Sequence, residues 1–282
     1  FFIISCERDV EGLQQATYPT NGDVFIDAFS SGLNYAAFGG SVPTAFQVDN
    51  TVTYNSSTAS MRFDVPNAND PNGSYAGGSY FTTMPRDLSG YDALTFWAKG
   101  SQTATIDVVG FGNDFGENKY QASISGLQIS TAWKKYIIPI PDASKLTAEK
   151  GMFFISEGPE NSNGYSFWID EVKFEKLGTI AHPQATILNG QTQNITSFIG
   201  VSNTISGLTA IFNMPNGINQ AVNVTPYYFT FSSSNSNVAT VDNQGVVTTI
   251  AAGTASITAS LGSLAATGAL NINSGGNFVH AP

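Results

Sequence analysis

Trp97, Asp107 and Phe111 lie in one patterned stretch, Ser89 to Lys135, where flat rings alternate with polar groups. A ring covers the apolar face of a pyranose, while carboxylates and amides exchange hydrogen bonds with its hydroxyls. Trp97, Phe111, Tyr75 and Tyr120 are the candidate rings for such chemistry, and Asp107, Asn113, Gln121 and Glu157 the candidate polar partners. Tyr35, Phe38, Tyr80, Phe115 and Tyr165 widen the ring set. For every ring the alternative reading is ordinary packing, and for Trp133 and Trp168 packing is preferred.

Other chemistries find little support. Hydrolysis of a glycosidic bond needs two carboxyl groups ~5–10 Å apart across it. The closest grouping is Asp170, Glu171 and Glu175, which has no recognisable catalytic spacing. His182 and His280 fall in linker-like segments, which argues against a histidine-based triad or metal site. No glycine-rich loop carries the lysine that a phosphate cradle requires. The reading is therefore a non-enzyme with no catalytic residue.

Composition points the same way. The 282 residues suffice for two domains, and 41% are hydrophobic. Only 11% are charged, well below the share usual for a globular domain, and the net charge is -10. A negative chain of this kind is repelled by nucleic acid and by anionic membrane surfaces. Cys6 is the one cysteine, so an intrachain disulfide is ruled out.

The elements that must position the rings are strands. In ALTFWAKG, Leu94, Phe96 and Ala98 share one face, and Thr95, Trp97 and Lys99 the other. In TIDVVGF, Ile106, Val108 and Gly110 alternate with Asp107, Val109 and Phe111. If the first set of each lines a core, Trp97, Asp107 and Phe111 face outward together. Short apolar runs recur with turn residues every 8 to 12 positions, as in an all-β sandwich or barrel. SKLTAEKG is the single plausible helical turn.

Residues 22–178 resemble carbohydrate-binding modules of the β-jelly-roll type. The resemblance rests on Asp27-Ala28-Phe29, on LTFWAKG after LSGYDA, on TAWKKYIIPI and on the closing FWIDEVKFEK. It implies polysaccharide binding and a structural calcium, with Asp27 and Asp170 as ligands near the first and last strands. The longer run from Pro159 to Pro183 also looks like the accessory region of laminarin-related surface proteins and family 16 glycoside hydrolases. Those enzymes carry E-x-D-x-x-E on one strand, a spacing this chain lacks.

Residues 179–274 resemble the group 2 bacterial Ig-like domain. Phe231 to Ala259 reads FSSSNSNVATVDNQGVVTTIAAGTASITA, which meets nearly every position of that family's pattern. The fold class implied is all-β, a jelly-roll β-sandwich followed by an Ig-like β-sandwich, the latter serving as spacer after a short TIAHPQA linker. FFIISCERDVE resembles the end of a bacterial lipoprotein signal with Cys6 lipidated. The acids after it resemble the surface-export signal of the Bacteroidetes group. Residues 1–21 then read as signal remnant and tether, and 275–282 as a linker to a further part.

Together these resemblances imply a lipid-anchored outer-membrane protein that captures a neutral β-glucan such as laminarin at the cell surface. A glycan importer complex is its implied partner. The accessory region of a glycoside hydrolase and an adhesin-like structural protein remain as alternatives.

Overall fold

The computed structural model describes residues 17–278. Cys6, His280, most of the tether and the end of the C-terminal linker lie outside the described residues. Strands dominate throughout. The helical turn expected in SKLTAEKG reduces to a single 3-10 turn, Ala143–Lys145, in which Asp142 accepts the Ser144 N–H as its N-cap.

Eleven strands build the first domain: β1 (Asp23–Phe25), β2 (Leu33–Ala37), β3 (Phe46–Asp49), β4 (Ser60–Asp64), β5 (Ala76–Arg86), β6 (Ala93–Gly100), β7 (Ala104–Phe111), β8 (Ala122–Ile129), β9 (Lys134–Pro139), β10 (Glu149–Glu157) and β11 (Ser166–Glu175). They form two facing antiparallel sheets. One runs β3-β4-β11-β6-β9 with β1 also on β11, and the other begins β2-β5-β10-β7-β8. The domain is a jelly-roll β-sandwich.

The core between the sheets is aromatic. Leu94, Phe96 and Ala98 enter it from β6 as alternation requires. Phe96 meets Tyr136 at 5.6 Å and Phe153 of the opposite sheet at 5.9 Å, and Phe63 stacks on Phe167 at 4.8 Å. Each fully buried Phe contributes about 1.5–3 kcal/mol of transfer free energy.

On β7 the alternation inverts, which the sequence pattern hides. Ala104 and Ile106 point into the core, and so do Val109 and Phe111. The switch falls at Asp107, opposite Gly126 of β8, whose φ of 70° is left-handed and suits glycine. Phe111 is consequently fully buried, 5.4 Å from Phe174, and not an outward ring.

Eleven further strands follow: β12 (Ala181–Thr186), β13 (Thr192–Ser197), β14 (Ser202–Thr204), β15 (Thr209–Asn213), β16 (Asn219–Val224), β17 (Phe229–Ser233), β18 (Ala239–Val241), β19 (Val246–Thr249), β20 (Gly253–Leu261), β21 (Leu264–Ala265) and β22 (Ala269–Ser274). β13-β22-β20-β17 form one sheet of an Ig-like sandwich and β14-β19-β18 another, with Ala255, Ile257 and Ala259 of β20 buried as the sequence pattern indicates.

The second domain does not hang from a free linker. Ala181 to Thr186, which takes up most of the TIAHPQA segment expected as a linker, pairs with β15, and β16 pairs with β8 through Asn223↔Ser123 and Val224↔Ala122. The jelly-roll sheet thus continues into the second domain as β8-β16-β15-β12. This pairing closes an edge whose backbone groups would otherwise be open.

Candidate functional site

The outer face of the sheet β2-β5-β10-β7-β8 is paved with small side chains. Strand register places Ser79, Phe154, Gly110 and Ser123 in one row across it, and Gly77, Ser156, Val108 and Ser125 in the next. Gly110 is required there. A Cβ at this position would sit 2.9 Å from the Phe154 ring and 2.2 Å from the Ala122 carbonyl oxygen. Phe154 borders that gap and meets Phe38 edge-on at 6.4 Å. Phe38 in turn meets Phe115 at 5.5 Å, and Phe115 meets Phe81 at 5.6 Å. Phe115 remains 49% exposed, so this cluster ends in a ring offered to solvent.

Asn113 holds the turn that presents Phe115. Its Oδ1 accepts the Phe115 N–H at 3.3 Å, and its carbonyl accepts the Ser79 hydroxyl, which fastens the loop across the sheet. Asn113 therefore supports the ring.

At the other end of the same face, Tyr75, Thr105, Asp107, Glu157, Gly158, Pro159 and Glu160 line a cavity of 340 Å³. Tyr75 is 44% exposed. From Tyr75 along β5 to the Ser79–Phe81 region under Phe115 is ~13–20 Å at the usual rise of ~3.3 Å per residue.

The irregularity in β7 explains the carboxylates. β10 pairs with β7 only from Val108 to Gly110, so the N–H groups of Thr105 and Asp107 lack ladder partners. Glu160 Oε1 accepts the Thr105 N–H and Glu157 Oε2 the Asp107 N–H, both at 2.6 Å. Asp107 Oδ2 accepts the Gly158 N–H at 3.1 Å. Glu157 Oε1 accepts the Tyr165 hydroxyl at 2.8 Å. Burial pushes the Glu157 carboxyl up to about 7, against the lowering effect of these hydrogen bonds. Both oxygens of Glu157 are occupied, so it positions Asp107 and offers no free oxygen itself. Asp107, exposed, keeps its Oδ1 open to the cavity among the described residues.

Structure thus brings together Tyr75, Asp107 and Glu157, and separates the others. Trp97 belongs to β6 in the opposite sheet, on its far face, so the expected grouping of Trp97 with Asp107 and Phe111 does not form. One face of Trp97 is covered by Tyr54, stacked at 3.8 Å. Trp168 shares that far face: its Nε1 donates to Asp49 Oδ2 at 2.8 Å, and Arg62 and Lys99 lie 5.8 and 5.9 Å from its ring. Tyr80 is fully buried and Tyr35 packs on it at 4.9 Å, so both are core rings. Tyr120 faces the domain junction, 5.4 Å from Tyr228. Thr105 and Glu160 were not singled out from sequence, because nothing in PENSNG marks a carboxylate that replaces a ladder partner.

Asp27 and Asp170 meet at Ser57. The Ser57 hydroxyl lies 2.9 Å from Asp27 Oδ1, 3.2 Å from Asp170 Oδ1 and 2.8 Å from the Ala59 carbonyl oxygen. Asp170 is fully buried; burial raises its carboxyl, opposed by N–H donors from Tyr54 and Glu171. Hydrogen bonds from Thr58 and Ser57 hold Asp27 low. Among the described residues no group of three or more His, Cys, Asp or Glu is placed to hold a metal ion, and no helix is long and apolar enough to cross a membrane.

A family model described as carbohydrate binding domain 30 matches residues 26–176, and one described as bacterial Ig-like domain matches residues 228–273. Among solved structures, the chain is similar to the family 30 carbohydrate-binding module of a cellulosomal cellulase of Clostridium thermocellum, at 18% identity and a TM-score of 0.39, covering 57% of this chain and 95% of that one. It is also similar to a family 11 module from the same organism in complex with a β-1,3-1,4-mixed-linked tetrasaccharide, at 15% identity and a TM-score of 0.38, covering 57% and 98%. A β-1,2-glucanase from Parabacteroides distasonis matches at 12% identity and a TM-score of 0.38, covering 93% of this chain and 40% of its own. No curated protein matches the chain.

Proposed function

The chain belongs to the carbohydrate binding domain 30 family, and from that premise we propose that it binds a neutral polysaccharide, without acting on it chemically, along the outer face of β2-β5-β10-β7-β8. The observation that carries this reading is the placement of exposed Tyr75 and Asp107 on one cavity of 340 Å³, on the sheet face that also presents Phe115. Rings at both ends stack on sugar faces, the row of Ser156, Val108 and Ser125 between them is accessible to a chain, and Asp107 Oδ1 accepts from a hydroxyl. Trp97 carries no part of this site.

The ligand is a β-glucan of the laminarin kind, and the chain works at the cell surface, anchored through Cys6 and serving glycan capture and uptake beside an importer complex. Supporting this are the low charge and the lone cysteine after an apolar run. Affinity electrophoresis against a panel of neutral β-glucans tests the ligand: retardation by laminarin is expected, and no retardation by any member contradicts the site.

Asp27 and Asp170 hold a structural Ca²⁺ together with Ser57 Oγ and the Ala59 carbonyl. One hydroxyl hydrogen serves one of the three oxygens around Ser57, and a hard cation is stabilised by such an oxygen cluster. Bound only to the folded state, the ion would stabilise it by about 2.7 kcal/mol at a hundredfold excess over Kd. Thermal unfolding with EDTA, then with CaCl₂ restored, checks this: a reversible fall in Tm is expected, and an unchanged Tm refutes it.

A further inference from the structure

The domain junction contains a second cleft that the sheet-face site does not use. Two cavities of 460 and 320 Å³ share Lys119, Tyr120 and Lys145 as common walls. Asp114, Glu149 and Lys150 from the jelly roll complete the first, and Tyr227, Asp242 and Asn243 from the second domain complete the other.

The cleft is built rigidly. Thr225 donates its N–H to the Gln121 carbonyl at 3.1 Å and its hydroxyl to the Lys119 carbonyl, while the fully buried Tyr228 donates its hydroxyl to the Tyr120 carbonyl at 2.9 Å. Lys119 Nζ lies 5.4 Å from the Tyr120 ring and 5.3 Å from the Tyr227 ring, so a cation joins one aromatic from each domain.

Glu149 is the feature that packing does not explain. It is only 7% exposed, on the wall of the larger cavity. Its Oε1 accepts the N–H groups of Lys150 and Gly151 at 2.9 and 2.8 Å. Its Oε2 has no partner among the described residues, and it is not among the side-chain atoms sealed away without one, so it opens on the cavity. The side chain is buried while this one oxygen opens on the cavity, so its donor comes from whatever fills the cavity.

We propose that the junction cleft is a second saccharide-binding subsite, built jointly by the two domains, in which Glu149 Oε2 bonds a hydroxyl of a neutral oligosaccharide. Acids (Asp114, Glu117, Glu149) and lysines (Lys119, Lys145, Lys150) interleave around it. That lining has no dominant sign to select an ion, whereas sugar hydroxyls both donate and accept and so satisfy both kinds of neighbour. Tyr120 and Tyr227 supply ring surface. The class of ligand rests on the reading of the sheet face; the place does not. The loop 112–121 carries Phe115 on one side and Lys119 and Tyr120 on the other, so one glycan chain can reach both sites and gain from the high effective concentration that linkage gives.

The test is amide NMR shift mapping of the full chain titrated with laminarihexaose, in the wild type and in Glu149→Gln, Tyr227→Ala and Tyr75→Ala variants. Two separate sets of shifts are expected, one around Tyr75 and Asp107 and one around Lys119, Lys145 and Glu149. Glu149→Gln and Tyr227→Ala should each weaken the second set about tenfold, the size of one lost charge-assisted hydrogen bond or ring contact, and spare the first. Tyr75→Ala should do the reverse. Shifts confined to the Tyr75 region overturn the junction subsite and leave the sheet-face reading standing. Shifts confined to the junction do the opposite, and no shifts in either region overturn both. Shifts at the junction that neither variant weakens also overturn the proposal. Tyr227→Ala leaves the Glu149 hydrogen bonds intact, so it decides the matter should Glu149→Gln perturb folding.

Discussion

Replacing Glu149 by Gln should make stability markedly less dependent on pH. Burial raises the Glu149 carboxyl from an ordinary 4.5 to about 7, overcoming the two N–H donors on Oε1, and Asp114 adds to the rise. A carboxyl raised in this way costs nothing while protonated in both states, below pH 4.5. As pH climbs toward 7 the unfolded chain ionises freely and the folded one does so only at a penalty, so stability is progressively lost. The full penalty is about 3 kcal/mol, most of which falls between pH 5 and pH 8. Gln keeps the Oε1 acceptor for Lys150 and Gly151 and carries no charge. Urea unfolding at pH 5, 6, 7 and 8 measures the difference directly, because comparing the two chains cancels every other titrating group. The gap between Glu149→Gln and wild type should widen toward higher pH, in favour of the variant. A gap that stays constant from pH 5 to pH 8 would refute the argument that Glu149 is buried as an unfavourable ion. Glu157, also raised to about 7, should leave a residual slope of the same sign in the variant.

Two packing predictions follow from the sheet. Phe111→Ala should cost about 3–5 kcal/mol in chemical denaturation, as expected for a fully buried ring; a cost under ~1 kcal/mol, the mark of a surface position, would place the ring outside the core. Gly110→Ala should destabilise by about 1–3 kcal/mol and disturb the ring cluster, because its Cβ has no room beside Phe154 and the Ala122 carbonyl. Near-wild-type stability with unchanged Phe115 resonances would contradict that.

The sequence carried the fold class well, since both domains are built from short alternating strands and turn residues. Leu94, Phe96 and Ala98 face the core as their spacing indicates, and Trp97 does face outward. Which sheet a strand joins is a different matter. β6 pairs with β11 and β9, while β7, its neighbour in sequence, pairs with β8 and β10 of the opposite sheet. Periodicity within a strand is silent about such pairing, so it groups Trp97 with Asp107 although the sandwich separates them. Phe111 was misplaced for a local reason: the inversion at Asp107 and Gly126 turns the second half of β7 over. The docking of the second domain was equally hidden. NQAVNV of β16 reads as an ordinary strand, and nothing in it names β8 as its partner. Glu149 sat in a segment read as helical, where its later burial at the start of β10 left no trace.

Calorimetric titration of laminarin oligosaccharide into wild type, Tyr75→Ala, Asp107→Ala and Trp97→Ala chains decides whether sugar binds on the face carrying Tyr75 and Asp107. Loss of a stacking ring or of a charge-assisted hydrogen bond is worth about 1–3 kcal/mol. Tyr75→Ala and Asp107→Ala should therefore each weaken binding by about tenfold or more, while Trp97→Ala leaves it unchanged. Binding that survives Tyr75→Ala and Asp107→Ala but disappears in Trp97→Ala would put the glycan on the opposite sheet and contradict the account.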